Sequence, residues 1–446
     1  MERNLTTGSV FKNIVYFSLP YLLSYFLQTL YGMADLFIIG QFGSVADVTS
    51  VSIGSQVMHM LTVMLVGLAM GTTVTISRYV GAKKQREVSN AIGNTVTLFM
   101  IVSVVITILL LALVKPIVNV MSTPEDAVDG TVSYLTVCFI GIPFITAYNI
   151  ISSIFRGMGD SKSPMYFIAV ACVVNIVFDY LLMGILDMGP SGAALGTTLA
   201  QTVSVITALV FIKKRDMGIH LVKSDFMPTA DIMGQLLRIG VPVSLQDGFV
   251  QIAFVVITII ANRRGLNDAA AVGIVEKIIG IFFLIPSSML SAVSALAAQN
   301  IGADKPQRAK QTLVYAIFIT MGFGVVVAAA TQFFAEQIIG VFKDDATVAM
   351  LGGQYLRSYV WDCIFAGASF SFSGYFCAVG KSGISFMHNL LSILCVRIPV
   401  AYTMSNMYAD TLFPMGLASP LGSLFSIIIC VAAYIIIDKK SVAARI

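Results

Sequence analysis

Apolar runs of about twenty residues, each long enough to cross a hydrocarbon core of roughly 30 Å as a helix, recur from one end of this chain to the other. That recurrence excludes a single-pass anchor and leaves a polytopic, all-α membrane protein as the expected fold. Spans are placed at about 14 to 40, 48 to 76, 92 to 114, 131 to 156, 164 to 186 and 191 to 213, and then at 237 to 262, 268 to 298, 312 to 334, 352 to 378, 385 to 409 and 414 to 437. Composition agrees, because 57% of the 446 residues are hydrophobic and only 11% are charged, against about 25% charged in a soluble domain. The polar opening Met1 to Lys12 leads straight into an apolar stretch with no small-residue cleavage site, so no removable signal peptide is expected.

The formal charge of +4 would suit an anionic partner, but the placement of the cations explains it better. With both termini inside, the inner loops collect Arg3, Lys12, Arg78, Lys83, Lys84, Arg86, Arg156, Lys162, Lys213, Lys214, Arg215, Lys223, Arg238, Lys305, Arg308, Lys310, Lys381, Lys439, Lys440 and Arg445. The outer loops keep Lys115, Arg263, Arg264 and Lys343. This is the positive-inside asymmetry, which fixes orientation, supports an even number of crossings and removes the need for a nucleic-acid partner. The six cysteines lie in apolar stretches without CxxC pairing and read as small packing residues.

A polar inner connection from Lys213 to Arg238 divides the chain, and the two sides resemble one another at a nearly constant offset. Gly81-Ala82-Lys83-Lys84 matches Gly302-Ala303-Asp304-Lys305, Tyr134-Leu135 matches Tyr355-Leu356, and Phe155, Gly159 and Ser161 match Phe376, Gly380 and Ser382, all at one and the same spacing. Pro20 and Pro242 pair at a spacing longer by a single position. Glycine and charged positions agree as well as apolar ones. The reading is two six-helix lobes, 1–220 and 221–446, related by a pseudo-two-fold axis along the membrane normal, with a cleft between them.

Ionisable groups inside spans cost about 2.5–3.5 kcal/mol each at a helix centre on insertion scales, which makes them the functional candidates. Asp35 lies near the outer end of the first span, Asn175 and Asp179 share one face of the fifth at i and i+4, and Thr197 lies inside the outer end of the sixth, all at comparable depth. Two carboxylates, an amide carbonyl and a hydroxyl are hard oxygen ligands suited to sodium; the same carboxylates, poorly solvated and mutually repelling, could instead hold a proton. In the second half Asp247, Glu276, Lys277, Asp362 and Arg397 fall midway along spans seven, eight, ten and eleven. There, a substrate-facing or proton-relay role stands beside a structural charge network. Gly67xxxGly71 and Gly192xxxGly196 permit close helix approach and read as ordinary packing. Soluble-enzyme motifs are absent: Gly380-Lys381-Ser382 resembles the end of a phosphate loop, but Tyr375 stands where that loop needs glycine. No enzyme activity and no cofactor are expected, and transport energy must come from a gradient.

Asp35, Asn175 with Asp179, the Gly81 loop and Arg397-Ile398-Pro399 together resemble the multidrug and toxic compound extrusion family over nearly the whole chain. The resemblance implies twelve helices in two lobes around a cavity open alternately to the two sides, and export of cationic, amphipathic organic compounds in exchange for sodium or protons. It gives Asp35 the part of the first-helix acid and Asn175, Asp179 and Thr197 the part of its companion ligands, as in the branch of DNA-damage-inducible proteins and staphylococcal-type exporters. Another branch carries its acids in the second lobe; Asp362 could sit near that branch's tenth-helix acid, but its seventh-helix glutamate has no clear counterpart, with Gln246 and Asp247 in its neighbourhood. The competing function is a lipid-linked oligosaccharide flippase of the same superfamily. A monomer in the inner membrane of a prokaryotic cell, in contact with lipid and small organic substrates, completes the expectation.

Overall fold

The computed structural model describes residues 4–215, 221–343 and 345–443, with side chains to residue 439. Arg3, Lys440 and Arg445 of the inner basic set fall outside those described side chains. Among the described residues there is no strand. In chain order the helices are α1 (Val10–Phe42), α2 (Val45–Gly81), α3 (Gln85–Val120), α4 (Glu125–Ile140), α5 (Ile142–Gly157), α6 (Lys162–Asp179), α7 (Gly189–Lys214), α8 (Ala230–Asn262), α9 (Leu266–Phe282), α10 (Leu284–Gly302), α11 (Pro306–Gly340), α12 (Ala346–Tyr359), α13 (Asp362–Ala378), α14 (Ser382–Ser392), α15 (Ile398–Met407), α16 (Phe413–Gly416) and α17 (Ala418–Ala443). Short π-helical segments, Tyr180–Ile185 and Ile393–Arg397, follow α6 and α14.

Among the described residues ten helical stretches are long and apolar enough to cross a bilayer, and α4 with α5, bent by 48°, makes an eleventh. The stretch read as span 352–378 is filled by α12 and α13, which break at Val360-Trp361 and carry Arg357 and Asp362. Local signals set the ends. Ser44 and Asp47 form a reciprocal capping box on α2, the Asp47 amide donating to Ser44 Oγ at 3.2 Å and the Ser44 amide to Asp47 Oδ2 at 2.9 Å. Asp345 caps α12 by accepting from the amides of Thr347 and Val348. On α3, Ile101, Val104, Val105, Ile108, Leu109 and Leu113 are exposed, a face that only lipid can solvate.

The chain divides into two compact units, residues 1–7, 16–240 and 302–304 in one and residues 8–15, 241–301 and 305–446 in the other. In the first, α2 packs on α4 and α5, and α6 on α7. Its core holds a cluster of Phe155, Phe167 and Phe211, with ring centroids 5.5 Å apart from Phe167 to each of the others, and Leu236 at the start of α8. In the second, α11 packs on α12 and α13, and α13 on α17, around Val272, Ile279, Tyr355, Tyr359, Leu412 and Met415.

The repeat is written into the backbone. Lys83 and its repeat partner Asp304 both adopt positive φ, 58° and 56°, in the turn after their helix, and Gly159 and Gly380 do the same at 90° and 74°. A cross-helix bond repeats too: Thr73 Oγ1 donates to the Ser153 carbonyl at 3.2 Å, and Ser294 Oγ donates to the Gly374 carbonyl at 3.2 Å. Such small polar contacts hold helices together where lipid supplies no hydrophobic drive.

Two basic residues have structural tasks that loop position alone does not reveal. The connector Lys223–Phe226 is strapped to α3: Arg86 pairs with buried Asp225 at 2.8 Å, Asn94 donates to the Asp225 carbonyl at 3.1 Å, and the Thr229 amide donates to Asn94 Oδ1 at 2.7 Å. At Gly93 any Cβ would collide with the Asp225 backbone, so glycine is what admits the strap. Arg264, between α8 and α9, donates from Nε to Asp268 at 2.6 Å and through its fork to the carbonyls of Ser405, Tyr408, Ala409 and Thr411 at 2.6–3.3 Å. It thereby satisfies the open carbonyl end of α15. Five cysteines are buried as expected, but Cys395, in the π-helical segment Ile393–Arg397, is exposed.

Candidate functional site

In the first unit the structure brings Asp35, Asn175, Asp179 and Thr197 together. Asp35 comes from α1, Asn175 and Asp179 from one face of α6, and Thr197 from α7. Asp35, Asn175 and Asp179 are 4%, 1% and 0% exposed. Thr197 Oγ1 donates to Asp35 Oδ2 at 3.2 Å. The Asp35 carboxylate is also faced by Asp179 and Asn175, and among the described residues no cationic side chain faces either acid. Asp35 Oδ1, both Asp179 oxygens and Asn175 Oδ1 accept no hydrogen bond.

Four buried oxygens without donors, on two carboxylates and an amide, are costly to leave unpaired, and they are the kind of group a cation or a shared proton satisfies; the Asn175 amide nitrogen likewise has no acceptor. All the atoms are hard oxygens, which suit a small hard ion or a proton held between the acids. Gly196 enforces the geometry. A Cβ there would overlap Asp179 Oδ1, so the Gly192xxxGly196 motif of α7, read as packing, makes room for the acid of α6.

The lining includes residues that sequence reasoning passed over. Tyr31 lies one turn before Asp35 on α1, and Gln201, one turn after Thr197 on α7, donates to its hydroxyl at 3.5 Å. Buried Tyr134 and Cys138 of α4 lie close enough to feel the Asp35 charge, and Tyr134 that of Asp179 as well. Steps of four from residues already singled out would have found Tyr31 and Gln201. The polar face continues toward the start of α1. Tyr148 is faced by Gln28 and Ser152, and Arg156 donates to Tyr21 at 2.6 Å while stacking 4.4 Å from its ring centre.

The second unit is arranged differently. Arg397 Nη2 lies 3.5 Å from Asp362 Oδ2, and Asp362 is fully buried. Glu276 accepts from Thr258 Oγ1 at 3.1 Å and, like Asp362, lies near Tyr355 and Tyr359. Asp247 does not join them and sits instead near Cys377 on α13. Lys277, expected to help neutralise the cluster, is exposed, because it is adjacent to Glu276 on α9 and so points some 100° away from it.

The family model described as MatE matches the chain twice, over residues 20–181 and 242–403. A probable multidrug resistance protein of Bacillus subtilis, YoeA, is 25% identical over 445 residues, covering 98% of this chain and 96% of the relative. The multidrug export protein MepA of Staphylococcus saprophyticus is 25% identical over 409 residues, 91% of this chain and 89% of the relative. The crystal structure of a MATE protein in complex with MaL6 superposes with a TM-score of 0.91 at 24% identity, over 98% of both chains, a likeness of fold.

Proposed function

Because the chain belongs to the MatE family of integral membrane transporters, we propose that it exports small organic, cationic and amphipathic compounds by antiport, with sodium or a proton bound at Asp35 and Asp179 as the coupling ion. The observation that carries the reading is the pair of buried carboxylates, three of whose four oxygens lack a donor and which no described cationic side chain faces. The multidrug names of the curated relatives support the substrate class and give no support to a lipid-linked oligosaccharide flippase. The bacterial relatives and the distribution of basic residues support a place in the cell membrane with both termini cytoplasmic. The protein works as a monomer in lipid and needs neither a resident cofactor nor nucleic acid.

The mechanism follows from linkage. A cation moves the transporter between states only by as much as it prefers one of them. Asp35 and Asp179 come from two helices, so a cation that bridges them draws α1 toward α6, and the state in which the acids are close binds it more tightly. Each elementary charge entering across 100 mV supplies about 2.3 kcal/mol, but a monovalent cationic compound leaving in a one-for-one exchange costs the same, so that exchange is driven by the ion's concentration gradient, about 1.4 kcal/mol for each tenfold.

The test is reconstitution in proteoliposomes, where a fluorescent cationic dye should move under an imposed sodium or proton gradient, each applied alone. Asp35→Asn should abolish coupling while the thermal midpoint in detergent stays near that of the parent. Parental dye rates in both Asp35→Asn and Asp179→Asn would sink the assignment.

A further inference from the structure

The two stretches matched by the family model, 20–181 and 242–403, begin and end at one common offset, so the second unit can be read position by position against the cation site of the first. That offset puts Arg397 in the place of Asn175, Ala401 in the place of Asp179 and Ile257 in the place of Asp35. Three oxygen-bearing side chains are thereby replaced by one guanidinium and two apolar groups. The surroundings repeat nonetheless. Tyr134 and Cys138, which line the acids of the first unit, are matched in the second by Tyr355 and Tyr359, and these lie beside Arg397 and Asp362. The offset that joins Ser161 to Ser382 lengthens by a single position beyond them, and α14 gives way there to the π-helical segment that ends on Arg397. A π turn is the means by which a helix takes up one additional residue.

The counter-charge is new as well. Asp362 opens α13 at the break in its bent helix pair, and the repeat partner of Asp362 is Gly141, at the break between α4 and α5. The second unit has therefore placed an acid and a base where the first has a glycine and an amide. Asp362 is fully buried, is 3.5 Å from the guanidinium and is faced by Ser423, while Glu276 keeps its own bond to Thr258.

We propose that Arg397 is a tethered cation that fills the second unit's counterpart of the ion site, with Asp362 as its permanent counter-ion, so that this unit takes up no coupling ion there. A buried carboxylate deprived of its cationic partner carries an uncompensated charge and must recruit a replacement. Removing the guanidinium therefore creates a second ion site.

The experiment counts cations on the purified full-length chain, as radioactive sodium bound and, without sodium, as protonated carboxyl groups in the infrared. Arg397→Gln gains one cation per chain in one of the two counts, and Arg397→Gln with Asp362→Asn loses that gain. Arg397→Lys, which keeps a tethered charge, matches the parent. In the parental background Asp362→Asn changes neither count, and this arm stands even if Arg397→Gln fails to fold. Counts in folded Arg397→Gln equal to the parent, or a cation lost with Asp362→Asn alone, overturn the proposal. The inference uses the first-unit site as its template, and Asp35→Asn counted separately reports on that site, so the two readings fail independently.

Discussion

Gly196→Ala tests whether the carboxylate pair needs the room that α7 leaves for it. The added methyl falls well inside 3.0 Å of Asp179 Oδ1, closer than real Cβ contacts come. The oxygen must retreat by about 1 Å before the contact becomes ordinary. Asp179 is 0% exposed and cannot swing into solvent, so the acid moves away from Asp35 or α6 moves away from α7. Overpacking of this kind costs about 1–3 kcal/mol. If that strain falls on the ion-bound geometry, the half-saturating cation concentration rises by about 5- to 150-fold. The assay is dye transport in proteoliposomes at stepped sodium concentration or pH, with the thermal midpoint measured alongside. Gly234→Ala on α8 is the control, because a Cβ there meets nothing within 4 Å. An unchanged cation dependence in folded Gly196→Ala would refute the reasoning.

Arg264→Lys should lower the thermal midpoint almost as much as Arg264→Ala, because one ammonium cannot serve Asp268 and four carbonyls together; a loss of about 3–5 kcal/mol is expected for alanine, and a lysine variant as stable as the parent would contradict the clamp. Asp225→Asn should cost about 1–3 kcal/mol and speed protease cleavage of the connector, since the Arg86 pair and the Val222 amide bond both weaken. Parental cleavage rates would show that the strap is held by backbone contacts alone. Tyr31→Phe should leave the cation dependence within a few-fold of the parent, because the Gln201 bond it removes is long at 3.5 Å; a loss of coupling in a dye-flux assay would place the hydroxyl among the essential groups.

The helical spans were legible because hydrocarbon imposes length and apolarity on each segment separately, with no need to know its neighbours. The convergence of the first-unit residues was legible for a related reason: Asp35 and Asp179 are ionisable in apolar surroundings, and the i and i+4 spacing of Asn175 and Asp179 fixes a face. Tyr31 and Tyr134 carry no such signal among 16 tyrosines, and their part emerges only when helices α1, α4 and α6 converge. The task of Gly196 was hidden for the opposite reason, since small-xxx-small spacing always suggests packing and does not say what is packed. The clamp made by Arg264 and the outward turn of Lys277 were hidden because position along the chain does not reveal which way a side chain points.

Leu236 belongs to the first unit's core although it lies on α8, beyond the short connector Lys223–Phe226. Gly71 and Gly240 tighten the same junction, since a Cβ on either would strike the backbone of Leu236 or Leu68. During synthesis the first six spans therefore leave the ribosome before their own interior can be sealed, and the keystone arrives with the opening turns of the seventh. Splitting the gene at the obvious midpoint would discard it, whereas a cut after Gly240 would let the amino-terminal half carry its own closure.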